Sequence, residues 1–202
     1  MLQLHDNPAS PYCRKVKVLA HEAGKFDKIN LIYSVGHPLD AQRMPVSENP
    51  LGKIPALVRD DGPAIYDSRV ICRYLDAQFK AGLYPDSRIW EVLTLEATGD
   101  GIMDAAILMV YEARCRPEEI RSADWVEAQW GKISRTLDAV SERWLSHLAG
   151  SVDMGHVAVG CALGYLDFRH GDRDWRKGHN LLAAWYKEFS ERDSMKATVP
   201  SA

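Results

Sequence analysis

The chain has 202 residues, of which 46% are apolar and 26% are charged, and its net charge at pH 7 is -3. This composition is typical of a folded globular protein with one large or two small domains, and it excludes an intrinsically disordered or collagen-like chain. The small net charge and the scattered basic residues argue against a nucleic-acid or membrane partner.

The chain opens with the pattern of a strand followed by a helix. Leu2 and Leu4 alternate as in a short strand. Ser10 is a candidate N-cap with Pro11 at the first helical position, and Gly24 is a typical helix stop. These residues predict one strand and one helix with both helix ends marked.

Further strand patterns and a second helix follow. An apolar run over residues 29–35 predicts a second strand, and the order strand, helix, strand favours parallel pairing. The turn at residues 60–62 lies between two short strand patterns and predicts a hairpin. Asp67 or Ser68 can cap the next helix. The first 80 residues therefore predict a βαβ-ββα unit with a mixed sheet.

The second part of the chain carries only helical periodicity. We predict a domain over residues 1–80, a linker over 81–87 and an all-helical domain over 88–202. The segment 155–168 is apolar nearly all round, which is typical of a helix buried at the centre of its domain. The tail from residue 196 is expected to be loosely held.

Several kinds of site lack their sequence pattern. The cysteines at positions 13, 72, 115 and 161 are far apart, and no histidine pair or Cys/His cluster has metal-ligand spacing. A phosphate-binding loop is also absent. We therefore expect free thiols, no metal and no nucleotide, in a protein of the cytoplasm without a secretory signal or membrane span.

Three stretches, in this order and spacing, resemble the cytosolic glutathione transferase family. They are residues 10–16 (SPYCRKV), 49–57 (NPLGKIPAL) and 66–68 (YDS); residues 101–105 and 158–169 are similar to a bacterial subgroup of that family. The resemblance implies an α/β thioredoxin-like domain followed by an all-α domain. It also implies glutathione as co-substrate, a small electrophile as second substrate, and a homodimer.

Within this resemblance Ser10 takes the role of the residue that holds the glutathione thiolate. A free thiol with a pKa of about 8.5 is only slightly ionised at pH 7, so the anion must be favoured. The Ser10 hydroxyl can donate to the sulfur at the positive end of a helix. From the residue type alone, Ser10 is more simply a helix cap, and both roles compete for one oxygen.

Cys13 lies one helical turn after Ser10, so the two residues occupy the positions that redox proteins of this fold fill with cysteines. With serine at the first position, dithiol exchange cannot run. Cys13 is therefore either a small, partly buried residue or the single thiol of a glutathione-dependent oxidoreductase. A non-catalytic binding module of the same fold is a further alternative.

The resemblance assigns the binding of glutathione to five residues. A cis peptide between Ile54 and Pro55 would turn the Ile54 backbone outward to pair with glutathione. Lys53 would offer its ammonium to the glycine carboxylate, while Asp67 and Ser68 would hold the γ-glutamyl end. Without the resemblance, Lys53 is an ordinary exposed lysine, and Asp67 and Ser68 are helix caps.

The resemblance places the acceptor pocket beside the sulfur and along one face of the first long helix, where an arginine could lie near an acidic acceptor. The residues expected to line it are Tyr12, Met103, Ile107, Tyr111 and Arg114. A stripe at helical spacing is more often part of a core than of a pocket.

One departure from the family pattern concerns the buried helix. The family usually begins it with a Ser/Thr-x-x-Asp capping box, whereas Asp153 and His156 occupy the two positions here. Asp153 can still cap the helix. Because His156 can donate rather than accept, the reciprocal half of the box stays open.

Overall fold

The computed structural model describes residues 1–35, 37–40 and 43–201, and it contains two compact units. One unit is formed by Met1–Pro85 together with Asp193–Ala202, and the other by Asp86–Arg192. The predicted helical domain included residues 193–202, whereas this segment clusters with the first unit in the structure. The reason is a set of contacts with the first helix, described below.

The first unit is a four-stranded mixed sheet with helices. Its elements are β1 (Leu2–Asp6), α1 (Pro11–Glu22), β2 (Ile29–Tyr33), β3 (Ala56–Arg59), β4 (Gly62–Ile65), α2 (Ser68–Phe79) and α8 (Asp193–Lys196). The strand order is β2-β1-β3-β4, with β1 and β2 parallel and the other two pairs antiparallel. The predicted βαβ-ββα unit is confirmed, and β2 ends two residues before its predicted end.

The C-terminal segment is held against α1 by a buried arginine. The Arg14 guanidinium donates to the Met195 carbonyl at 3.1 Å and to the Thr198 hydroxyl at 3.4 Å. Met195 and Thr198 are themselves buried. Because these hydrogen bonds form away from water, they hold the segment up to Thr198 against α1. The expectation of a loosely held tail is wrong.

The second unit is all-helical within its described residues. Its helices are α3 (Ile89–Cys115), α4 (Ala123–Arg143), α5 (Leu145–Leu148), α6 (Met154–His170) and α7 (Asn180–Phe189). The residues of α6 from Met154 to Leu166 are all buried, which confirms the predicted central helix. No helix among the described residues has both the length and the apolar character needed to cross a membrane.

The packing of α3 against α6 is close enough to require a glycine. A Cβ at Gly99 would lie 2.7 Å from the carbonyl carbon and 2.8 Å from the carbonyl oxygen of Ala158. These are backbone atoms, which cannot swing aside as a flexible side chain can. The two helices therefore meet backbone to backbone at Gly99.

A buried carboxylate organises the start of α6. Asp153 accepts from the backbone N–H groups of Gly155 (3.0 Å) and His156 (3.3 Å), as an N-cap does. Its other contacts are with the imidazoles of His156 and His147, each at 2.8 Å, and with Nε of Arg88 at 3.2 Å. Asp153 is thus a helix cap and the centre of a buried polar network.

The reciprocal half of the capping box is also within reach. Nδ1 of His156 lies 3.3 Å from the backbone N–H of Asp153 and accepts from it when that ring nitrogen carries no proton. When the nitrogen is protonated it donates to the carboxylate instead. The geometry therefore contains both halves of the box, where the sequence left the second half open.

The close approach of α3 and α6 predicts different effects on stability for alanine substitutions at two glycines of α3. Gly99→Ala forces its methyl group into the Ala158 backbone and is expected to destabilise the protein by about 1–3 kcal/mol. Gly101→Ala meets no atom within 4 Å and is expected to be neutral or to stabilise by up to about 1 kcal/mol. Urea unfolding followed by circular dichroism measures both, and equal effects would contradict the close contact.

The charge of Asp153 predicts a pH-dependent stability. Burial alone would raise the pKa of Asp153, but the hydrogen bond and charge of His156, with the charge of His147, hold it below its ordinary value of 3.8. A lowered pKa stabilises the fold above about pH 4, and that contribution is lost as the pH falls through the folded-state pKa. Asp153→Asn, which keeps a capping oxygen, is expected to cost about 1–3 kcal/mol at pH 7 and progressively less below pH 4.

Asp138→Asn is the matched control, because the exposed Asp138 carboxylate also faces a histidine, with 3.0 Å to His179. Its effect is expected to stay below about 1 kcal/mol. The measurement is the free energy of urea unfolding at pH 7, 5 and 3. A penalty for Asp153→Asn that does not change over this range would show that the charge is not what stabilises α6.

Candidate active site

Strand pairing brings three separate chain segments to one edge of the sheet. In the antiparallel pair of β1 and β3, His5 near the end of β1 lies opposite Ala56 at the start of β3. In the pair of β3 and β4, Leu57 lies opposite Ile65 at the end of β4. The segments that follow β1, precede β3 and follow β4 therefore start from the same edge.

All the residues predicted to bind or activate glutathione lie on these three segments. Ser10 follows β1, residues 53–55 precede β3, and Asp67 and Ser68 follow β4 at the start of α2. Lys53 and Asp67 are exposed, Ser10 and Ile54 are half-buried, and Ser68 is buried. The fold thus brings to one edge of the sheet residues that lie up to 58 positions apart in the sequence, from Ser10 to Ser68.

Ser10 is the N-cap of α1, and its hydroxyl can still donate a hydrogen bond. Its Oγ accepts from the backbone N–H of Cys13 at 3.3 Å. A hydroxyl has two lone pairs and one proton, so the cap uses a lone pair and leaves the proton to donate. Capping and donation therefore do not exclude each other.

The loop before Ser10 is shaped by Asn7, which the sequence analysis did not single out. Its amide donates to the Ser34 carbonyl at 3.0 Å, its side-chain oxygen accepts from Ala9 at 2.9 Å, and its carbonyl accepts from the Ser10 N–H at 2.9 Å. The Asn-Pro pair that begins this loop is a known turn signal.

Cys13 points into the core of its unit. Its side chain is fully buried, and Sγ lies 3.8 Å from the His5 carbonyl. Burial and the charge of Asp6 raise the pKa of the thiol to about 12, although the Ser10 hydroxyl, the Asn7 backbone and Lys17 act in the opposite direction. A thiol that stays protonated and buried is a poor nucleophile, which argues against a catalytic role for Cys13.

The segment before β3 has the expected cis peptide between Ile54 and Pro55. The buried Asn49 holds this loop, because its amide donates to the Lys53 carbonyl at 2.8 Å and its oxygen accepts from Leu51 at 3.1 Å. Among the described residues, the Ile54 N–H and C=O have no hydrogen-bond partner. They are available to an extended ligand.

At the start of α2, Asp67 rather than Ser68 is the cap. The Asp67 carboxylate accepts from the Arg69 N–H at 3.0 Å and from its guanidinium at 2.9 Å; the peptide between Tyr66 and Asp67 is cis. Burial would raise the pKa of Asp67, but the hydrogen bonds from Arg69 and the charges of Arg69 and Lys15 lower it. The carboxylate is therefore ionised at neutral pH and exposed.

The residues expected to line an acceptor pocket differ in accessibility. Tyr12, Ile107 and Tyr111 are half-buried, and Arg114 is exposed. Met103 is fully buried and has no surface to offer an acceptor, so its side chain belongs to core packing. For Met103 the prediction is corrected: the helical stripe continues into the core at that position.

His147, Asp153 and His156 form a cluster whose ligand atoms lie within 4.8 Å of one another, a geometry that could hold a metal ion. The carboxylate already lies 2.8 Å from both imidazoles, and the Arg88 guanidinium lies against one of its oxygens. A cation placed there would be repelled by Arg88 and would break the cap, so the cluster favours a structural role. Its two histidines lie on different helices, so no sequence spacing indicates the cluster.

Two family models match this chain. The model described as glutathione S-transferase, N-terminal domain, matches residues 9–78, and the one described as glutathione S-transferase, C-terminal domain, matches residues 123–188. The chain belongs to the glutathione S-transferase family. The uncharacterized GST-like protein YibF of Escherichia coli K12 is 32% identical to this chain over an alignment of 206 positions, which covers 98% of each chain.

Solved structures of other transferases are similar over the whole chain. A glutathione transferase family member from Pseudomonas fluorescens Pf-5, solved with bound glutathione, is 46% identical with a TM-score of 0.95 and full coverage of both chains. The same relative was solved with bound S-(propanoic acid)-glutathione, with a TM-score of 0.91. A transferase from Methylobacillus flagellatus with glutathione bound is 35% identical with a TM-score of 0.87.

The burial of Cys13 predicts slow chemical labelling. In the native transferase, Cys13 is expected to react with iodoacetamide far more slowly than the half-buried Cys115, because its thiol is both inaccessible and protonated. Mass spectrometry of the digested protein measures the extent of labelling at each site. Both thiols should label fully once the protein is unfolded in urea, and rapid native labelling of Cys13 would restore it as a candidate nucleophile.

Proposed function

We propose that this transferase binds glutathione through its first unit and catalyses the attack of the glutathione thiolate on small electrophiles, forming a thioether. One observation carries the proposal. The Ser10 hydroxyl, with a proton free to donate, lies at the sheet edge that also presents the Ile54 peptide and the start of α2. The bound glutathione of the Pseudomonas fluorescens relative supports it.

In this proposal, the backbone and both ends of the glutathione tripeptide are each bound by a group of the first unit. The N–H and C=O of Ile54 pair with the backbone of glutathione, as a strand edge pairs with an extended peptide. The exposed ammonium of Lys53 faces the glycine carboxylate. Asp67 and Ser68 hold the amino and carboxylate groups of the γ-glutamyl end at the start of α2.

The thiolate is stabilised by Ser10 and the start of α1. A hydrogen bond to a charged acceptor contributes about 1.5–3 kcal/mol, and a helix N-terminus adds about 0.3–1 kcal/mol. Since one pKa unit is about 1.4 kcal/mol, the two together lower a thiol pKa by roughly one to three units. From about 8.5, that shift places the thiol pKa at roughly 5.5 to 7.5, so that between about a quarter and nearly all of the bound glutathione is ionised at pH 7.

The family resemblance also assigns the acceptor to Tyr12, Ile107, Tyr111 and Arg114, and we keep that assignment as part of the proposal. Each of these side chains is at least partly accessible. We also propose that the site accepts S-conjugates of glutathione, by likeness to the relative solved with S-(propanoic acid)-glutathione.

We propose that the transferase functions as a homodimer, as its family resemblance implies. Each unit carries an exposed apolar side chain that a partner would cover. Val70 on α2 is 49% exposed, and Trp90 on α3 is 77% exposed. Isolated exposed residues are common, so these two support the proposal only together with the family.

The role of Ser10 predicts a loss of activity on removal of its hydroxyl. Ser10→Ala is expected to lower kcat/KM for conjugation of glutathione to an aryl halide by about 10- to 100-fold, since one hydrogen bond to a thiolate is lost. A rise in the kinetic pKa of bound glutathione should accompany the loss. Initial rates measured from pH 6 to 9 give both quantities.

Ser122→Ala is the matched control for this experiment. Ser122 caps α4 as Ser10 caps α1, with its hydroxyl accepting from the Trp125 N–H at 3.1 Å. Both variants lose a cap of about 1 kcal/mol, but only Ser10→Ala should lose activity. Equal activity of wild type and Ser10→Ala, with glutathione still bound, would remove Ser10 from the mechanism.

A further inference from the structure

The turn over residues 7–10, which leads from β1 into α1, is closed by Asn7. Of the three residues that follow Asn7, Pro8 has no N–H group to bond. The Asn7 side-chain oxygen accepts from the Ala9 N–H at 2.9 Å, and the Asn7 carbonyl accepts from the Ser10 N–H at 2.9 Å. Both remaining N–H groups of the turn are therefore bonded to Asn7, one through its side chain and one through its backbone.

The Asn7 side chain also ties this turn to the neighbouring strand. Its amide donates to the Ser34 carbonyl at 3.0 Å, and Ser34 is buried directly after β2. The Ser34 N–H donates to the Asp6 carbonyl at 2.8 Å, and the Ser34 hydroxyl lies 3.1 Å from the His5 imidazole. All three polar groups of Ser34 thus face the end of β1, and the Asn7 amide is anchored to the sheet through them.

Ser10 is bonded to the first unit on two sides. On the side of α1, its hydroxyl accepts from the Cys13 N–H at 3.3 Å and its carbonyl accepts from the Arg14 N–H at 3.0 Å. These two bonds orient Ser10 relative to the helix. On the side of the sheet, the Ser10 N–H donates to Asn7, so the turn sets the position of Ser10 relative to the sheet edge.

That position decides whether the Ser10 hydroxyl reaches the glutathione sulfur. In the proposed function, glutathione pairs with the Ile54 peptide, so its sulfur is placed by the segment before β3 and not by α1. A hydrogen bond weakens steeply when its distance or angle departs from the ideal. A displacement of about 1 Å in a reacting site can cost about 100-fold in rate. The turn that joins α1 to the sheet must therefore be held firmly.

We propose that Asn7 is a positioning residue that holds the Ser10 hydroxyl at the glutathione sulfur. This inference rests on the proposed function and adds to it a residue that acts through Ser10. The Asn7 side chain does so with its two bonds, one to the Ala9 N–H inside the turn and one to the Ser34 carbonyl on the sheet.

The test removes the Asn7 side chain and measures the ionisation of bound glutathione. Asn7→Ala deletes both side-chain bonds and adds no charge. It is expected to raise the pKa of the bound thiol by about one and to lower kcat/KM for conjugation to an aryl halide by about 3- to 30-fold. The ultraviolet absorbance of the bound thiolate against pH gives the pKa without turnover, and initial rates give kcat and KM.

Asn7→Ser is the conservative variant. Its hydroxyl can still accept from the Ala9 N–H, as serine does in turns, but it is too short to reach the Ser34 carbonyl. We expect its pKa and its kcat/KM to lie between those of the wild type and Asn7→Ala. If Asn7→Ala fails to fold, Asn7→Ser should still raise the pKa of the bound thiol, and an unchanged pKa would overturn the inference.

Asn49→Ala is the matched control, because Asn49 forms the same two kinds of bond in the loop before β3. Its oxygen accepts from the Leu51 N–H at 3.1 Å and its amide donates to the Lys53 carbonyl at 2.8 Å. That loop presents the Ile54 peptide, so the control is expected to raise KM for glutathione and to change the pKa of the bound thiol by less than about 0.3. An equal rise of the pKa in both variants would overturn the specific role of Asn7.

A double-mutant cycle separates positioning from a merely structural role. If Asn7 acts through Ser10, Asn7→Ala in the Ser10→Ala background is expected to change kcat/KM by less than about twofold and to leave the pKa of the bound thiol unchanged. The same loss in both backgrounds would show that Asn7 only supports the fold.

The outcomes also separate this inference from the function on which it rests. If Ser10→Ala raises the pKa of bound glutathione and Asn7→Ala does not, the role of Asn7 is overturned while the proposed function stands. If the protein binds no glutathione, or if Ser10→Ala changes neither the pKa nor the rate, the proposed function itself fails, and the inference fails with it.

Discussion

A fully buried carboxylate, Asp153, determines where the central helix of the second unit begins. It accepts from two backbone N–H groups and faces two imidazoles and a guanidinium. An ionised carboxylate is stable without water only when its lone pairs are satisfied in this way. Because α6 starts at that point, Gly99 of α3 meets the Ala158 backbone and the two helices pack at van der Waals distance.

In the first unit, the pairing of the strands determines where the residues of the candidate site lie. The antiparallel pairs β1–β3 and β3–β4 bring the ends of β1 and β4 beside the start of β3. Ser10, the Ile54 peptide and Asp67 thus share an edge although they are distant in sequence. At that edge Ser10 uses an oxygen lone pair to cap α1 and keeps its proton to donate, so one hydroxyl can serve both the fold and the proposed chemistry.

Local signals in the sequence were sufficient for most elements and for several site residues. Ser10 followed by proline, the turn before β4 and the apolar run of α6 each have a local physical cause, and the structure contains the predicted cap, hairpin and buried helix. Contacts between distant residues were missed. The tail was expected to be loose because nothing near residue 196 in the sequence shows that Arg14 binds it. Met103 shares the helical spacing of Tyr111, but only the packing of the unit determines that Met103 is fully buried.

The amino-acid sequence by itself determined the order of strands and helices, the caps at Ser10 and Asp153, and, through the three motifs of the first unit, the family. Tertiary structure alone decided that Cys13 is buried and Ser10 half-exposed, although they lie one helical turn apart. The physical reason is that caps and helical periodicity act over a few residues. Burial, protonation and ion pairing depend instead on groups that the fold brings together from distant positions.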